Sequence, residues 1–376
     1  MRLAVLNLTA TGMSGGYRKY LQNILPHLAA DTRIQALLCG SLASLHVERW
    51  IPADEKIRFV DCRPFSPFGR RLGGELEQIL TSFRPDVIFV PTARVVHFND
   101  VPVVAMIQNM APLCSWEWYG WAQWPRLAAQ RLETHRAVRQ AKGVIAISDF
   151  VRQFLLKDWH IAAEKIVPIY FGAPLPSLNL VRPSQLPAEW GDFVFTAGSL
   201  EPYRGLEDVI ICAEHFRKNL GRPLWVAIAG SARNSMRAYE LRLKALADKA
   251  GVAADLCWVG QLSHEEMTWC YRNCSAFIMT SRVEACPNIV LEAMACGSVS
   301  IAAANAPLPE FFAETALYYE PGNGTMLARQ VQDVFSWDKT RRSRISAAIY
   351  ERSRQFRWKT AAEKTVDFME RILKSR

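Results

Sequence analysis

The chain of 376 residues has no run of 18 consecutive apolar residues. A helix crossing a bilayer needs about 20, so no membrane-spanning helix is expected. The opening apolar run, Met1 to Asn7, is short and leads into a glycine loop. It lacks the long apolar stretch of a secretion signal. Cysteine is present nine times, but in no zinc pattern. Cys270 and Cys274 share a helix face without a His or a second Cys pair to complete a set. Cys39, Cys212, Cys257 and Cys296 fall in expected core elements, which fits free thiols in a reducing compartment. No Asp-x-Asp stands beside an expected strand to hold a divalent ion. The first glycine loop lacks the Gly-x-Gly-x-x-Gly fingerprint and its following acidic residue, which disfavours hydride chemistry. Acidic residues are in deficit, 36 against 45 Lys and Arg, for a net charge of +9. That balance attracts anions. No RNA- or DNA-binding motif accompanies it, so sugar nucleotides, lipid phosphates or an anionic membrane surface account for it as well.

Half the residues are apolar and 22% are charged, the profile of a globular protein long enough for two domains. Short apolar runs alternate with amphipathic stretches, which predicts an α/β fold of two parallel layers. Strands are expected at Arg2–Leu8, Gln35–Cys39, Val87–Val90, Val103–Ile107 and Val144–Ile147, with a first helix over Tyr17–Ala29. Pro174 to Pro187 shows no periodicity and reads as a linker. A second glycine loop, Gly198 to Gly205, then opens a second parallel set with strands at Phe193–Ala197, Leu224–Ala229, Leu256–Val259, Ala276–Thr280 and Val299–Ala304. The last amphipathic stretch follows Phe356-Arg357-Trp358 and runs to about Leu373.

The most informative segment is Ser281-Arg282-Val283-Glu284-Ala285-Cys286-Pro287-Asn288-Ile289-Val290-Leu291-Glu292-Ala293-Met294-Ala295-Cys296-Gly297. Pro287 suits the first position of a helix, where no N–H is required, and Gly297 suits its stop. Glu284 is then in the loop facing the helix N-terminus and Glu292 lies on the helix. The backbone N–H groups of Asn288, Ile289 and Val290 would point at an anion between them. A diphosphate flanked by two hydroxyl-gripping carboxylates is what a sugar nucleotide presents.

This segment resembles the signature of the retaining family-4 glycosyltransferases of the GT-B fold, two glutamates separated by seven residues and leading into Glu-Ala-Met-Ala-Cys-Gly. The resemblance implies two Rossmann-like domains facing each other across a cleft. It implies that Glu284 holds donor-sugar hydroxyls and Glu292 the ribose. It also implies domains at 1–180 (acceptor) and 181–355 (nucleotide-sugar donor), with 356–376 a helix crossing back to the first domain.

Gly15 and Gly16 follow the first strand and precede a helix, where bare backbone and a helix end suit phosphate. In the family such a loop faces the donor diphosphate. In the second loop the family commonly has an Arg after the first Gly and a Lys or Arg before the last. Arg204 fills the second place and Ser199 the first. Ser199 offers one neutral hydrogen bond, so the diphosphate charge falls to Arg204 and the backbone amides, with Arg18 or Lys19 as helpers. Most members carry His-Asp where this chain has Gln108-Asn109. An amide hydrogen-bonds but does not exchange a proton near neutral pH, so no general base is assigned there. His97 lies nearby in sequence as a substitute.

Residues 116–126 hold four of the twelve tryptophans, followed by Arg131, Arg136 and Arg139. Trp with Arg suits a membrane interface or a saccharide acceptor, and a buried helix pair with a basic face equally.

The expectation is a cytoplasmic glycosyltransferase, peripheral on the inner membrane face, acting with retention and without metal or other cofactor. Its partners would be a nucleotide-diphosphate sugar and a glycan or lipid-linked acceptor, with no nucleic acid, in bacterial surface-polysaccharide assembly. The catalytic set would be Glu284, Arg204, Gln108 and Asn109; the donor set Gly15, Gly16, Ser199, Arg204, Glu284, Asn288, Ile289, Val290 and Glu292. Two alternatives remain. One is a phosphorylase-type relative, for which no additional cationic site is found; the other is a non-catalytic sugar-nucleotide-binding subunit.

Overall fold

The computed structural model describes residues 1–9, 15–62, 74–114 and 116–375. Gly12, Met13 and Ser14 of the first glycine loop lie outside them. The chain divides into two compact units: Met1–Trp116 with Gly120–Gly172 and Arg357–Arg376, and Glu117–Tyr119 with Ala173–Phe356.

The first unit holds a seven-stranded sheet of β1 (Arg2–Leu6), β2 (Ala36–Ser41), β3 (Ile57–Asp61), β4 (Val87–Val90), β5 (Val103–Ile107), β6 (Gly143–Ala146) and β7 (Ile166–Pro168) in the order β3-β2-β1-β4-β5-β6-β7. All its pairings are parallel. Its helices are α1 (Gly15–Ala30), α2 (Gly74–Phe83), α3 (Ala111–Cys114), α4 (Trp124–Gln140), α5 (Asp149–Lys157) and α13 (Trp358–Lys374), numbered by position in the whole chain. Helix α13 is amphipathic and buries Trp358, Val366, Phe368 and Met369, packing on α1. Its Trp358 ring stacks on Phe171 at 5.4 Å between centroids.

The second unit repeats the plan. Strands β8 (Val194–Ala197), β9 (Val226–Ala229), β10 (Leu256–Gly260), β11 (Ala276–Met279), β12 (Ser300–Ala303) and β13 (Leu317–Tyr319) form a six-stranded sheet in the order β10-β9-β8-β11-β12-β13. Its helices are α6 (Glu207–Leu220), α7 (Arg237–Lys249), α8 (His264–Asn273), α9 (Asn288–Ala295), α10 (Leu308–Phe312), α11 (Gly324–Ser336) and α12 (Lys339–Ser353). β8, β9, β11 and β12 are buried at every position, so each reads as an unbroken apolar run. In both units the chain starts in the middle of its sheet, winds to one edge, returns and winds to the other, the doubly wound order of a Rossmann sheet.

The strands without an apolar signal, β3, β7 and β13, are all edge strands. β3 carries Arg58 and Asp61 and is buried only at Ile57, while β7 and β13 have three residues each. These three edges are half wet, which weakens the pattern that marks a central strand. The expected linker carries neither helix nor strand from Ala173 to Phe193. No helix of the described residues is long and apolar enough to cross a membrane.

Candidate functional site

In a doubly wound sheet the loops leaving the central strands part in opposite directions, and a crevice opens at their carboxyl ends. In the second unit that point lies between β8 and β11. The loop after β8 carries Gly198, Ser199 and Arg204, and the loop after β11 carries Ser281, Arg282 and Glu284. Gly198, Ser199, Arg204, Thr280 and Ser281 line a narrow cavity between them.

The two loops are tied closely. Thr280 Oγ1 donates to the Arg204 carbonyl at 2.5 Å, and the Arg282 N–H donates to the Tyr203 carbonyl at 2.7 Å. Gly205 sits at φ +61°, and a Cβ there would stand 2.8 Å from the Thr280 carbonyl oxygen. Glycine is thus required by both conformation and approach. Across this seam Arg204 Nη1 donates to Glu284 Oε1 at 2.5 Å and to Ser281 Oγ at 3.3 Å. The Arg204 and Glu284 side chains are 15% and 11% exposed, so the pair is shielded but not sealed. Burial pushes the Glu284 carboxyl above its usual range, against the pull of Arg204. Burial works most strongly against the Arg204 charge, but Glu284, Tyr203 and Glu201 together outweigh it and hold the guanidinium firmly protonated.

Helix α9 begins opposite this pair. Pro287 is its cap, with extended ψ of 106°, and not its first helical residue. In that position its carbonyl accepts from the Val290 and Leu291 amides at 3.0 and 3.3 Å. The Val290 amide is therefore engaged, which corrects the expectation that three amides face an anion. Asn288 and Ile289, both half-buried, keep the amides for which the helix supplies no acceptor. The other end closes as expected. Gly297, at φ +65°, donates to the Met294 carbonyl and Ser298 to the Ala293 carbonyl, both at 3.0 Å, the paired bonds of a Schellman stop. The strand that follows is Ser300–Ala303, one residue shorter at each end than expected.

Glu292 is 7% exposed and accepts from the Tyr271 hydroxyl at 3.2 Å. Tyr271 is wedged between Phe195 and Phe277 at 5.2 and 5.3 Å. Burial, then the neighbouring Glu292 carboxylate, holds its hydroxyl well above the usual phenol range. Tyr271 therefore stays a hydrogen-bond donor. Nothing in the sequence around Tyr271 distinguished it from a core aromatic.

In the first unit, Gly15 and Gly16 open helix α1, Gly15 exposed and Gly16 half-buried. Arg18 stacks over Trp50 at 4.8 Å. Gln108 follows β5, with its Nε2 buried and lacking a hydrogen-bond partner among the described residues. Asn109 is exposed, and its Oδ1 accepts from the Ala111 N–H at 3.0 Å, a turn that leads into the short α3. The two amides that follow the same strand thus differ, one orphaned and one spent on a turn. His97 is exposed and bonds Gln140 at 2.9 Å. Trp121 is 81% exposed and Trp124 48%, and Arg126, Arg136 and Arg139 are exposed along α4. Arg131 instead lies against Phe154 and Trp159. A large open concavity lined by Arg2, Glu77, Gln78, Thr81 and Arg84 sits at the amino end of β1, the end of a parallel sheet where such folds do not bind ligands.

A family model described as Glycosyltransferase Family 4 matches residues 14–175, and one described as Glycosyl transferases group 1 matches residues 181–351. The chain belongs to the family-4 glycosyltransferases. Its fold is the two-domain α/β GT-B fold shared with solved structures. One is Anabaena Alr3699/HepE in complex with UDP-glucose, with TM-score 0.72 at 19% identity, covering 100% of each chain. Another is the sucrose-phosphate synthase of Thermosynechococcus elongatus, with TM-score 0.75 at 16% identity over 100% of each chain. The O-antigen chain mannosyltransferase B of Escherichia coli is 19% identical over 242 residues, 62% of this glycosyltransferase-family chain and 61% of that protein. The chain thus aligns with about three fifths of the length of that curated relative.

Proposed function

We propose that the protein is a retaining, metal-independent glycosyltransferase that moves a sugar from a nucleotide-diphosphate sugar to a hydroxyl of a glycan or lipid-linked acceptor. The observation that carries this reading is the Arg204–Glu284 pair at the sheet's switch point, set against the start of α9 with Glu292 behind it.

On this reading the donor opens the pair. Arg204 turns to the diphosphate, and Glu284 accepts hydroxyls of the sugar. The amides of Asn288 and Ile289 and the positive end of α9 add to the hold on phosphate. Glu292, held by Tyr271, takes the ribose hydroxyls. In the transfer, the bond from the anomeric carbon to the phosphate oxygen breaks, and its electron pair leaves with the diphosphate. The acceptor oxygen forms the new bond on the same face, and its proton passes to a leaving phosphate oxygen. Arg204 and the two amides stabilise the charge that grows on the departing group, the kind of preorganised electrostatics that dominates such steps. Gln108, whose Nε2 has no partner among the described residues, is an amide that can donate a hydrogen bond but takes no proton.

The mannosyltransferase and UDP-glucose-bound relatives support a donor of this class and a setting in bacterial surface-polysaccharide assembly. The exposed Trp121 and Trp124, with Arg126 and Arg136 exposed along α4, support peripheral contact with an anionic membrane face.

The test is release of nucleoside diphosphate from a panel of sugar nucleotides, with and without EDTA, followed by the anomeric configuration of the product by NMR. Acceptor-dependent release that survives EDTA and gives a retained configuration supports the reading. An inverted product, release that EDTA abolishes, or donor binding without any transfer contradicts it.

A further inference from the structure

The loops that carry Arg204 and Glu284 exchange a second pair of charges. Arg282 Nη2 lies 2.7 Å from Asp208 Oδ1, so each loop or its following helix contributes one arginine and one acid to the other. The pairs differ in setting. Arg282 and Asp208 are 8% and 2% exposed, deeper than Arg204 and Glu284. Asp208 is also fully committed: its Oδ2 accepts from the Tyr319 hydroxyl at 2.8 Å and from the Gly322 N–H at 3.1 Å. Its carboxylate thereby joins the first turn of α6 to β13 and the turn after it.

Residues 280–287 contain neither helix nor strand, so no regular ladder fixes Glu284. Besides the Thr280 hydroxyl, which holds the Arg204 carbonyl, Arg282 gives the loop three ties of its own. Its backbone N–H reaches the Tyr203 carbonyl, its carbonyl accepts from Asn305 Nδ2 at 2.7 Å, and its side chain reaches Asp208. Glu284 follows two residues later. The Arg204–Glu284 pair cannot supply this anchorage, because binding a donor requires it to open.

We propose that Asp208 and Arg282 are positioning residues for sugar recognition: their buried pair holds Glu284 where it meets the donor sugar once Arg204 has turned to the diphosphate. The inference rests on the proposed function. The outer pair is a latch that ligand opens, and the inner pair is a staple that stays shut. The staple acts on the sugar and not on the nucleotide, which separates it from a general contribution to folding.

The experiment titrates the full chain with UDP, GDP, ADP and dTDP and with their glucose and mannose conjugates. It compares the wild type with Asp208→Asn, Arg282→Lys, Glu284→Gln and the Asp208→Asn/Glu284→Gln double variant. The readout is the ratio of the Kd of the sugar nucleotide to that of its own nucleoside diphosphate. Asp208→Asn and Arg282→Lys are expected to leave nucleoside diphosphate binding within about 3-fold and to shift the ratio against the sugar nucleotide by about 10-fold, a hydrogen bond to a charged group. Glu284→Gln should shift the ratio similarly. The double variant should add little, because the residues act through one contact. Equal weakening of both ligands, or a fully additive double variant, would make the inner pair a stability element and overturn the proposal. So would failure of both single variants to fold. Absence of any binding by the wild type would instead sink the functional reading on which it stands.

Discussion

Arg204 Nη1 and Glu284 Oε1 stand 2.5 Å apart, joining the loops that leave the two central strands of the second sheet. The two groups proposed to hold opposite ends of the scissile bond thus neutralise each other before a donor arrives. Removing either leaves its partner charged and shielded, which is costly.

Substituting the pair should separate binding from chemistry. Arg204→Ala is expected to weaken nucleoside diphosphate binding and lower kcat, because it removes charge from the diphosphate. Glu284→Gln should keep nucleoside diphosphate binding and lower kcat/KM by about 10²-fold, the usual scale for one preorganised electrostatic contact. Isothermal titration alongside steady-state kinetics distinguishes the two. Identical profiles for both variants would deny them separate roles.

The pH dependence follows from the raised Glu284 carboxyl. Burial lifts its pKa in the folded protein, so as pH falls the folded state takes up this proton before the unfolded chain does. Ionised Glu284 therefore costs stability above its folded pKa. The cost fades as pH drops towards the ordinary carboxylate range, the reverse of an acid whose pKa is depressed. Activity moves the other way, since protonation removes an acceptor for sugar hydroxyls. The acid limb of kcat/KM should lie above the usual carboxylate range, and Glu284→Gln should be flat across that window. Superimposable profiles would place the titrating group elsewhere.

Glu292 takes its orientation from the Tyr271 hydroxyl, which donates to it inside the aromatic layer over β8 and β11. Tyr271→Phe should cost about 1 kcal/mol of stability and weaken nucleotide binding a few-fold, the scale of one internal hydrogen bond. Glu292→Ala should weaken nucleotide binding by about 10-fold or more, having lost a charged acceptor. A Tyr271→Phe variant with unchanged affinity and melting temperature would remove Tyr271 from this role.

The tryptophan face makes a separate prediction. Trp121→Ser with Trp124→Ser should reduce sedimentation with vesicles containing anionic lipid while leaving nucleoside diphosphate binding intact, since both rings are exposed and lie in the first unit. Binding that persists in the double variant, or that ignores added salt, would assign the rings to something other than a charged membrane face.

Central strands were legible because burial on both faces leaves an unbroken apolar run, as in Val194–Ala197 and Ala276–Met279. Ile57–Asp61, Ile166–Pro168 and Leu317–Tyr319 were not, because an edge strand need not be apolar on its open side. At the site, the glycine stop of α9 was written in Gly297, whereas the role of Pro287 was not. Its ring suits a cap as well as a first turn, and only its ψ shows that its carbonyl occupies the Val290 amide. Arg204 and Glu284 were each identifiable by residue type. Their pairing was invisible, because they lie 80 positions apart. Asp208 and Arg282 were hidden for the same reason, and Asp208 also looks like any acid in the first turn of a helix. Gln108 and Asn109 look alike in sequence, and the buried Gln108 Nε2 and the Asn109 turn onto Ala111 separate them.

The second unit is proposed to bind a nucleotide-diphosphate sugar through Arg204, the start of α9 and Glu292. Calorimetric titration of the wild type, Arg204→Ala and Glu292→Ala with UDP, GDP, ADP and dTDP in metal-free buffer tests it most directly. One nucleotide should bind clearly more tightly than the rest, and both substitutions should weaken it. Binding by none of the four, or binding indifferent to both substitutions, would contradict the proposal.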